Sequence, residues 1–220
     1  MSQVPEFSLF VPFCNEEAVL AASLEEITSI FERAGVDFEL LLVDDGSTDG
    51  TAALAAQKAE GEERVRGELI PHGGKGWAVK HGMLAVRGEY RFMCDADLAM
   101  PIEQLGSFLD RMTEGDDIVI GSRQIAGARR FGEPIGRHVM GRVFNWSVRL
   151  LAVGGFDDTQ CGFKCFRGEV VQELFHLQRT EGLGFDGEIL YIAAKRGLRI
   201  LEIPIEWYYC GLLQQVDRGE

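Results

Sequence analysis

Residues 38–59 read FELLLVDDGSTDGTAALAAQKA: an apolar run (Phe38–Val43), a polar turn (Asp44-Asp45-Gly46-Ser47) and an amphipathic stretch (Thr48–Ala59). The run predicts a buried strand and the stretch after it a helix. The same unit recurs in both directions along the chain. Upstream, Phe7–Phe13 predicts a strand, and Leu20, Leu24, Ile27 and Phe31 follow at helical spacing. Downstream, Arg64–Ile70 predicts a weaker strand before a helix from about Lys75 to Val86. Tyr90–Cys94 precedes a helix marked by Ile102, Leu105, Leu109 and Met112, and Asp117–Ile120 is the fifth strand. Alternation of this kind implies right-handed crossovers, so the expectation is an α/β fold with a mostly parallel central sheet flanked by helices.

The second half changes character. Ser122–Arg149 holds six Arg and one acid, Glu133, and within it Val139, Met140, Val143, Phe144, Leu150 and Leu151 form one helical stripe. A glycine-rich turn (Val153–Phe156), a short strand around Gly162–Phe166, a helix near Gly184–Lys195 and a last strand, Arg199–Ile205, follow. Neither a repeat nor a linker interrupts the chain, so residues 1–220 are expected to form one domain.

Of 220 residues, 46% are hydrophobic, which places the chain among folded proteins rather than disordered ones. Asp and Glu number 35 against 22 Lys and Arg, a net charge of −13. A general nucleic-acid binder carries the opposite balance, so no nucleic-acid partner is expected. The apolar runs fall short of the roughly 18 residues of a spanning helix. The opening MSQVPEFSLF lacks the basic start of a secretory leader. Cys14, Cys94, Cys161, Cys165 and Cys210 are an odd count, read as reduced thiols of a cytoplasmic protein.

In an open parallel sheet, ligands sit beyond the carboxyl ends of the strands. The first four strands each deliver a polar or glycine-rich loop there: Asn15-Glu16-Glu17, Asp44-Asp45-Gly46-Ser47, His72-Gly73-Gly74-Lys75-Gly76 and Asp95-Ala96-Asp97. Asp95 and Asp97, at i and i+2 after an apolar strand, suit a hard cation such as Mg²⁺ or Mn²⁺ completed by substrate phosphates. A helix cap explains Ser47 or Thr48, but not two adjacent carboxylates, Asp44 and Asp45, that repel each other. A hydrogen-bonding ligand such as a nucleobase would use one of them. Lys75, at a helix start, is placed to approach a phosphate. The glycine loop lacks both GxGxxG and GxxxxGK[ST], so neither a dinucleotide site nor a P-loop is supported. The Cys161-x3-Cys165 spacing is poor for zinc and reads as core. The arginine-rich stretch points to an anionic partner: phosphate, pyrophosphate or an anionic lipid surface.

Taken in order, Val11–Glu17, Val43–Asp49, Gly74-Lys75-Gly76, Asp95-Ala96-Asp97 and Gly121-Ser122-Arg123 resemble glycosyltransferase family 2, inverting enzymes of the GT-A (nucleotide-diphospho-sugar transferase) fold. The likeness runs from Phe7 to about Trp207. Asp158-Thr159-Gln160-Cys161-Gly162-Phe163-Lys164 and Phe185-Asp186-Gly187-Glu188 are similar to the dolichyl-phosphate β-glucosyltransferase branch, which moves glucose from UDP-glucose to a polyprenyl phosphate. The resemblance implies a nucleotide-sugar half (about 1–121) and an acceptor half (about 122–220). It gives Pro12, Phe13 and Glu16 the nucleobase and ribose pocket and gives Asp45, or its neighbour Asp44, the base. Lys75 goes to the donor phosphates, Asp95 and Ala96 to the sugar–nucleotide, and Asp97 with Asp95 to the metal. Arg123 and Arg137 would hold the acceptor phosphate, with Gln160 and Lys164 beside them. Two features depart from that branch: the N-terminal membrane helix of its eukaryotic members, and a Ser-Lys-Val-like element after Trp207, are both missing here.

The chemistry fits these groups. A divalent ion and Lys75 would stabilise charge building on the leaving diphosphate. A phosphate monoester acceptor, with a second pKa of about 6, is already a dianion near neutrality and needs positioning rather than a base. Paired arginines position it well. A hydroxyl acceptor would need a base, for which Asp158 or Asp186 is the candidate. Three other readings stand beside the first: a GDP-mannose-dependent polyprenyl-phosphate transferase, a family 2 transferase to a hydroxyl, and a silent sugar–nucleotide-binding module. The expected location is the cytoplasm, with peripheral contact to the cytoplasmic membrane face.

Overall fold

The computed structural model describes residues 5–132 and 155–209. Arg137, the stripe from Val139 to Leu151, and Cys210 lie outside the described residues. Nine strands are described: β1 (Phe7–Phe13), β2 (Phe38–Asp44), β3 (Val65–Leu69), β4 (Tyr90–Met93), β5 (Ile118–Ser122), β6 (Arg129–Phe131), β7 (Lys164–Arg167), β8 (Ile200–Pro204) and β9 (Glu206–Tyr208). The helices are α1 (Glu17–Ala34), α2 (Thr51–Gly61), α3 (Lys75–Ala85), α4 (Leu105–Thr113, entered by a 3₁₀ turn at Ile102–Gln104), α5 (Gly168–Leu177) and α6 (Phe185–Lys195).

Seven strands form one sheet in the order β3-β2-β1-β4-β7-β5-β8, all parallel to their neighbours except β7. Every residue of β1 and β2 is buried, as expected of strands covered on both faces. One apolar layer includes Leu20, Leu24, Ile27 and Phe31 of α1 and Phe108 of α4. The opposite layer includes Val79 of α3, Leu174 of α5 and Leu190 of α6. Helix α1 stops at Gly35, whose left-handed backbone (φ 64°) lets its N–H bond back to Phe31 and Glu32 carbonyls. On the other face, α3 lies so close to β1 that a Cβ on Gly82 would sit 2.1 Å from the Phe10 ring.

Strand–helix alternation led to a parallel sheet, and β7 is its one antiparallel member, paired to both β4 and β5. The reversal has a functional consequence. A strand that starts at the carboxyl edge of its parallel neighbours carries the residues before it to that edge. Lys164, first in β7, pairs with Met93 and Ile120, so Asp158–Phe163 arrive beside the loop after β4. Helix α5 was not anticipated, although Val171, Leu174 and Phe175 are buried at helical spacing. Nor were β6 and β9, three residues each, which pair parallel as a separate ribbon.

Candidate active site

Two cavities open along the carboxyl edge of the sheet, and Asp95 and Asp97 line both. The larger, about 370 Å³, takes Pro12, Phe13 and Glu16 from the β1 loop, Asp45 from the β2 loop, Lys75 from the start of α3, and Ala96. The smaller, about 50 Å³, takes Arg123 after β5, Gln160 before β7 and Trp207 of β9. Most of the residues read from sequence as donor-binding line the larger cavity, Arg123 and Gln160 of the acceptor-binding set line the smaller, and Asp95 and Asp97 line both. Asp44, Lys164 and Asp186 line neither cavity.

Local backbone explains why these loops hold still. Asn15 adopts φ 58°, a left-handed conformation that Asn tolerates better than most residues. From there its N–H reaches Ser47 Oγ (2.9 Å) and its Oδ1 accepts from the Thr48 N–H (2.8 Å), tying the β1 loop to the β2 loop. Asp45 is buried, and its carboxylate accepts from the Gly73 and Gly74 N–H groups at 2.8 and 2.9 Å. The residue assigned to the base therefore also shapes the glycine loop, leaving less of its hydrogen-bonding capacity for a ligand. Asp44 points elsewhere: its Oδ1 accepts from the Ser47 N–H (2.7 Å), and it is 2% exposed.

Lys75 Nζ donates to Asp95 Oδ1 at 2.7 Å. Asp95 first, then Asp186, hold the Lys75 ammonium above its ordinary value against the opposing effect of burial, so it stays charged. Burial pushes the Asp95 carboxyl up, but Lys75, Lys164 and Arg123 together bring it below the usual range. Gly162 is required beneath it: a Cβ there would lie 2.2 Å from Asp95 Oδ2. Asp97 accepts from the Ala99 N–H at 3.1 Å, and Leu98 between them takes a positive φ of 44°. Such strain in a non-glycine residue is typical of functional loops. Burial, then repulsion from Asp97 and Asp95, raises the Glu16 carboxyl. Four carboxylates, Glu16, Asp45, Asp95 and Asp97, line the larger cleft and make its wall rich in oxygen. No complete cluster of three metal ligands occurs among the described residues. Two aspartates that leave the remaining positions to water and substrate phosphates match how Mg²⁺ and similar ions are usually held.

Around the smaller cavity the charges are buried in pairs. Arg123 makes a two-pronged bond to Asp158, Nε to Oδ2 at 2.6 Å and Nη2 to Oδ1 at 2.8 Å, and Asp158 is fully buried. Asp158 is itself placed by its N–H bond to Glu202 Oε1 (2.7 Å). Burial raises the Asp158 carboxyl, but the bonds from Arg123 outweigh it and leave it low. Lys164 Nζ bonds Asp186 Oδ1 and the Cys161 carbonyl, with both charged residues at least 95% buried. Here burial wins, and Asp186 stays above the ordinary carboxylate value. Neither Asp158 nor Asp186 lines the smaller cavity. Lys164, expected at the acceptor, instead lies beneath the site as the partner of Asp186. Cys161 and Cys165 are buried free thiols, as the strand-like context suggested.

Sequence reasoning missed two contributors. Glu188, quoted only as part of a motif, accepts from the Arg179 and Thr180 N–H groups (3.0 and 2.7 Å), and this loop continues to Glu181, whose carbonyl receives the Trp77 N–H (3.0 Å). It thereby braces the first turn of α3, where Lys75 sits. Trp207 lies under the Arg123 guanidinium, 5.7 Å from ring centre to Cζ. Its signal was an indole in an aromatic cluster, Trp207-Tyr208-Tyr209, just after the last apolar strand.

Comparison with known proteins identifies the family and the fold. Residues 8–175 match the family model described as glycosyl transferase family 2. A dolichyl-phosphate beta-glucosyltransferase of Trichomonas vaginalis is 35% identical over 91% of this chain and 63% of its own length. Its Drosophila melanogaster counterpart is 37% identical over 92% of this chain and 67% of its own. The chain thus spans about two thirds of the length of these relatives. Among solved structures, glucosyl-3-phosphoglycerate synthase from Mycobacterium tuberculosis, in complex with Mn²⁺, UDP and glucosyl-3-phosphoglycerate, superposes with a TM-score of 0.65 at 20% identity. It covers 96% of this chain and 75% of that one, a likeness of GT-A fold.

Proposed function

This chain belongs to glycosyltransferase family 2, and on that premise we propose that it transfers glucose from UDP-glucose to a polyprenyl (dolichyl-type) phosphate with inversion. The observation that carries the proposal is the small cavity beside Asp95 and Asp97. An arginine lines it, and those two aspartates are the only carboxylates among the described residues that do. A hydroxyl acceptor needs a base there, whereas a phosphate dianion needs only an anion site. The names of the relatives support the same acceptor and sugar.

In this reading the nucleotide occupies the larger cleft, whose volume of about 370 Å³ suits a ligand of that size. Phe13 and Pro12 flank the base, Asp45 keeps the Gly73–Gly74 amides in place, and Glu16 faces the ribose. Lys75, held charged by Asp95, counters the diphosphate. Asp97 and Asp95 would hold Mg²⁺ or Mn²⁺, which when bound neutralises charge on the departing UDP. Arg123, locked by Asp158, aligns the acceptor phosphate. A phosphate oxygen forms the new bond to the anomeric carbon as the bond to the diphosphate breaks. Arg137 is proposed to assist Arg123 at the acceptor, and Gln160 to line the acceptor's path. The whole is proposed to act as one domain at the cytoplasmic membrane face. No helix among the described residues is long and apolar enough to cross a membrane.

The test offers UDP-glucose and GDP-mannose separately, with Mg²⁺ or Mn²⁺ and a polyprenyl phosphate, and identifies the lipid product. Glucosyl lipid from UDP-glucose is the expected outcome. Mannosyl lipid would replace the donor, and transfer only to a hydroxyl would replace the acceptor.

A further inference from the structure

We propose that Trp207 is the residue by which this site distinguishes a phosphate carrying an apolar chain from a phosphate without one. The inference rests on the phosphate-acceptor reading above and deepens it. The small cavity has two chemically different sides. Arg123 and Gln160, with the Asp95 and Asp97 carboxylates, form its polar end, and Leu98, Met100 and Trp207 form an apolar one. Leu98 and Met100 are 3% and 7% exposed and belong to the core, so they make a fixed wall, while the half-buried indole is the apolar surface still open to a ligand. The Arg123 guanidinium, 5.7 Å from the ring centre, marks how near the two ends lie. An anion at Arg123 therefore places whatever is esterified to it against the indole.

The strand that carries the ring is held there by several independent ties. Tyr208 N–H donates to the Ala99 carbonyl at 2.7 Å, and Ala99 N–H in turn holds Asp97, so β9 is fastened to the metal-facing loop itself. Gln104 grips Glu206 on both sides, accepting from its N–H (2.7 Å) and donating to its carbonyl (3.0 Å). Arg130 of β6 pairs with Trp207, and Phe131 stacks on Tyr208 at 4.5 Å. A tryptophan serving only as a lid on the core needs no such attachment to the loop of Asp97. A fixed aromatic wall beside an anion site fits an amphiphile: a phosphate head followed at once by methylenes.

Calorimetry with octyl phosphate, inorganic phosphate and UDP on the full chain tests this. The unaltered protein is expected to bind octyl phosphate about tenfold more tightly than inorganic phosphate, the effect of burying roughly two methylenes. Trp207→Ala should bring the two affinities to within about threefold, Trp207→Phe should keep most of the preference, and UDP affinity should hold in both. If Trp207→Ala does not fold, Trp207→Gln replaces it with the same expectation. A preserved octyl preference in the Ala or Gln variant overturns the proposal, as does equal loss of UDP and octyl phosphate binding. Absence of the preference in the unaltered protein overturns it too. An unaltered protein that shows the Trp207-dependent preference yet glucosylates no polyprenyl phosphate sinks the proposed function while this inference stands.

Discussion

The larger cleft and the smaller cavity of this site are held in place by different physics. Around the larger cleft, groups sit on loops at the ends of parallel strands and are fixed mainly by backbone bonds: Asn15 to the β2 loop, Asp45 to Gly73 and Gly74. The ion pair there, Lys75–Asp95, is partly exposed. Around the smaller cavity, the groups are positioned by charges buried in pairs, Arg123–Asp158 and Lys164–Asp186. A loop site depends on local turn chemistry and tolerates loss of a charge. A buried pair does not, because the survivor is left uncompensated in low dielectric. The larger cleft should therefore lose function without losing the fold, and the smaller cavity should lose both.

The buried pairs give the largest expected effects. Asp158→Ala should destabilise the protein by about 3–5 kcal/mol, since it strands Arg123 and the Arg123 N–H. With a depressed folded value, Asp158 stabilises above the ordinary carboxylate value of about 3.9. That contribution should disappear as pH falls through the lower folded value, and acid unfolding of the variant should lack it. The two pairs also differ from each other. In Lys164–Asp186, burial outweighs attraction, so the double replacement Lys164→Met with Asp186→Leu should cost less than either single change. Urea melts of the four proteins would read this, and additive losses would break the contrast between pair and loop.

The second effect belongs to function alone. Asp97→Asn should lower the transfer rate by about 10²–10³, the scale of removing one group that stabilises developing charge. Its stability should stay within about 0.5 kcal/mol of the parent, because Asp97 is half-buried and asparagine keeps the oxygen that accepts from the Ala99 N–H. Transfer at the parent rate would remove Asp97 from the chemistry. A large drop in melting temperature would show that the donor loop is also structural, and the comparison would fail there.

The same contrast explains what could be read before the structure. Loops that follow parallel strands announce themselves, since an apolar run followed at once by Asp-Ala-Asp or Asp-Asp-Gly-Ser has one sensible placement. Hence Glu16, Asp45, Lys75, Asp95 and Ala96 were identifiable from the loops, Pro12 and Phe13 only through the family resemblance, and all seven line one cleft. The acceptor side gave weaker signals. Strand β7 has the composition of any short buried strand, and its antiparallel direction depends on which edge the chain returns from, not on its own residues. Lys164 looks like a ligand-binding cation in sequence because nothing local reveals that Asp186, 22 residues on, will neutralise it. Trp207 and the three-residue strands β6 and β9 are specified by each other across 77 residues, a separation at which periodicity carries no information.

The smallest effect sharpens the comparison from the donor side, through Glu16. Burial and the nearby Asp97 and Asp95 raise its carboxyl, so the ionised form is less favourable in the folded chain than in the unfolded one. For a raised acid the linkage runs opposite to Asp158: the penalty exists above the folded value and is relieved as pH falls through it. Glu16→Gln removes that charge while keeping the side chain's size. The variant should therefore melt slightly higher than the parent at pH 7, and the gain should fade to nothing below about pH 4, where the carboxyl is protonated in both states. Mg²⁺ or Mn²⁺ supplied with UDP should shrink the same gain, because a cation between Asp95 and Asp97 offsets the repulsion felt by Glu16. Paired thermal melts across this pH range, with and without metal and UDP, decide the matter. A gain independent of pH would mean that Glu16 is strained by packing rather than by its neighbours' charge, and the donor wall would then lack the electrostatic tension that a cation relieves.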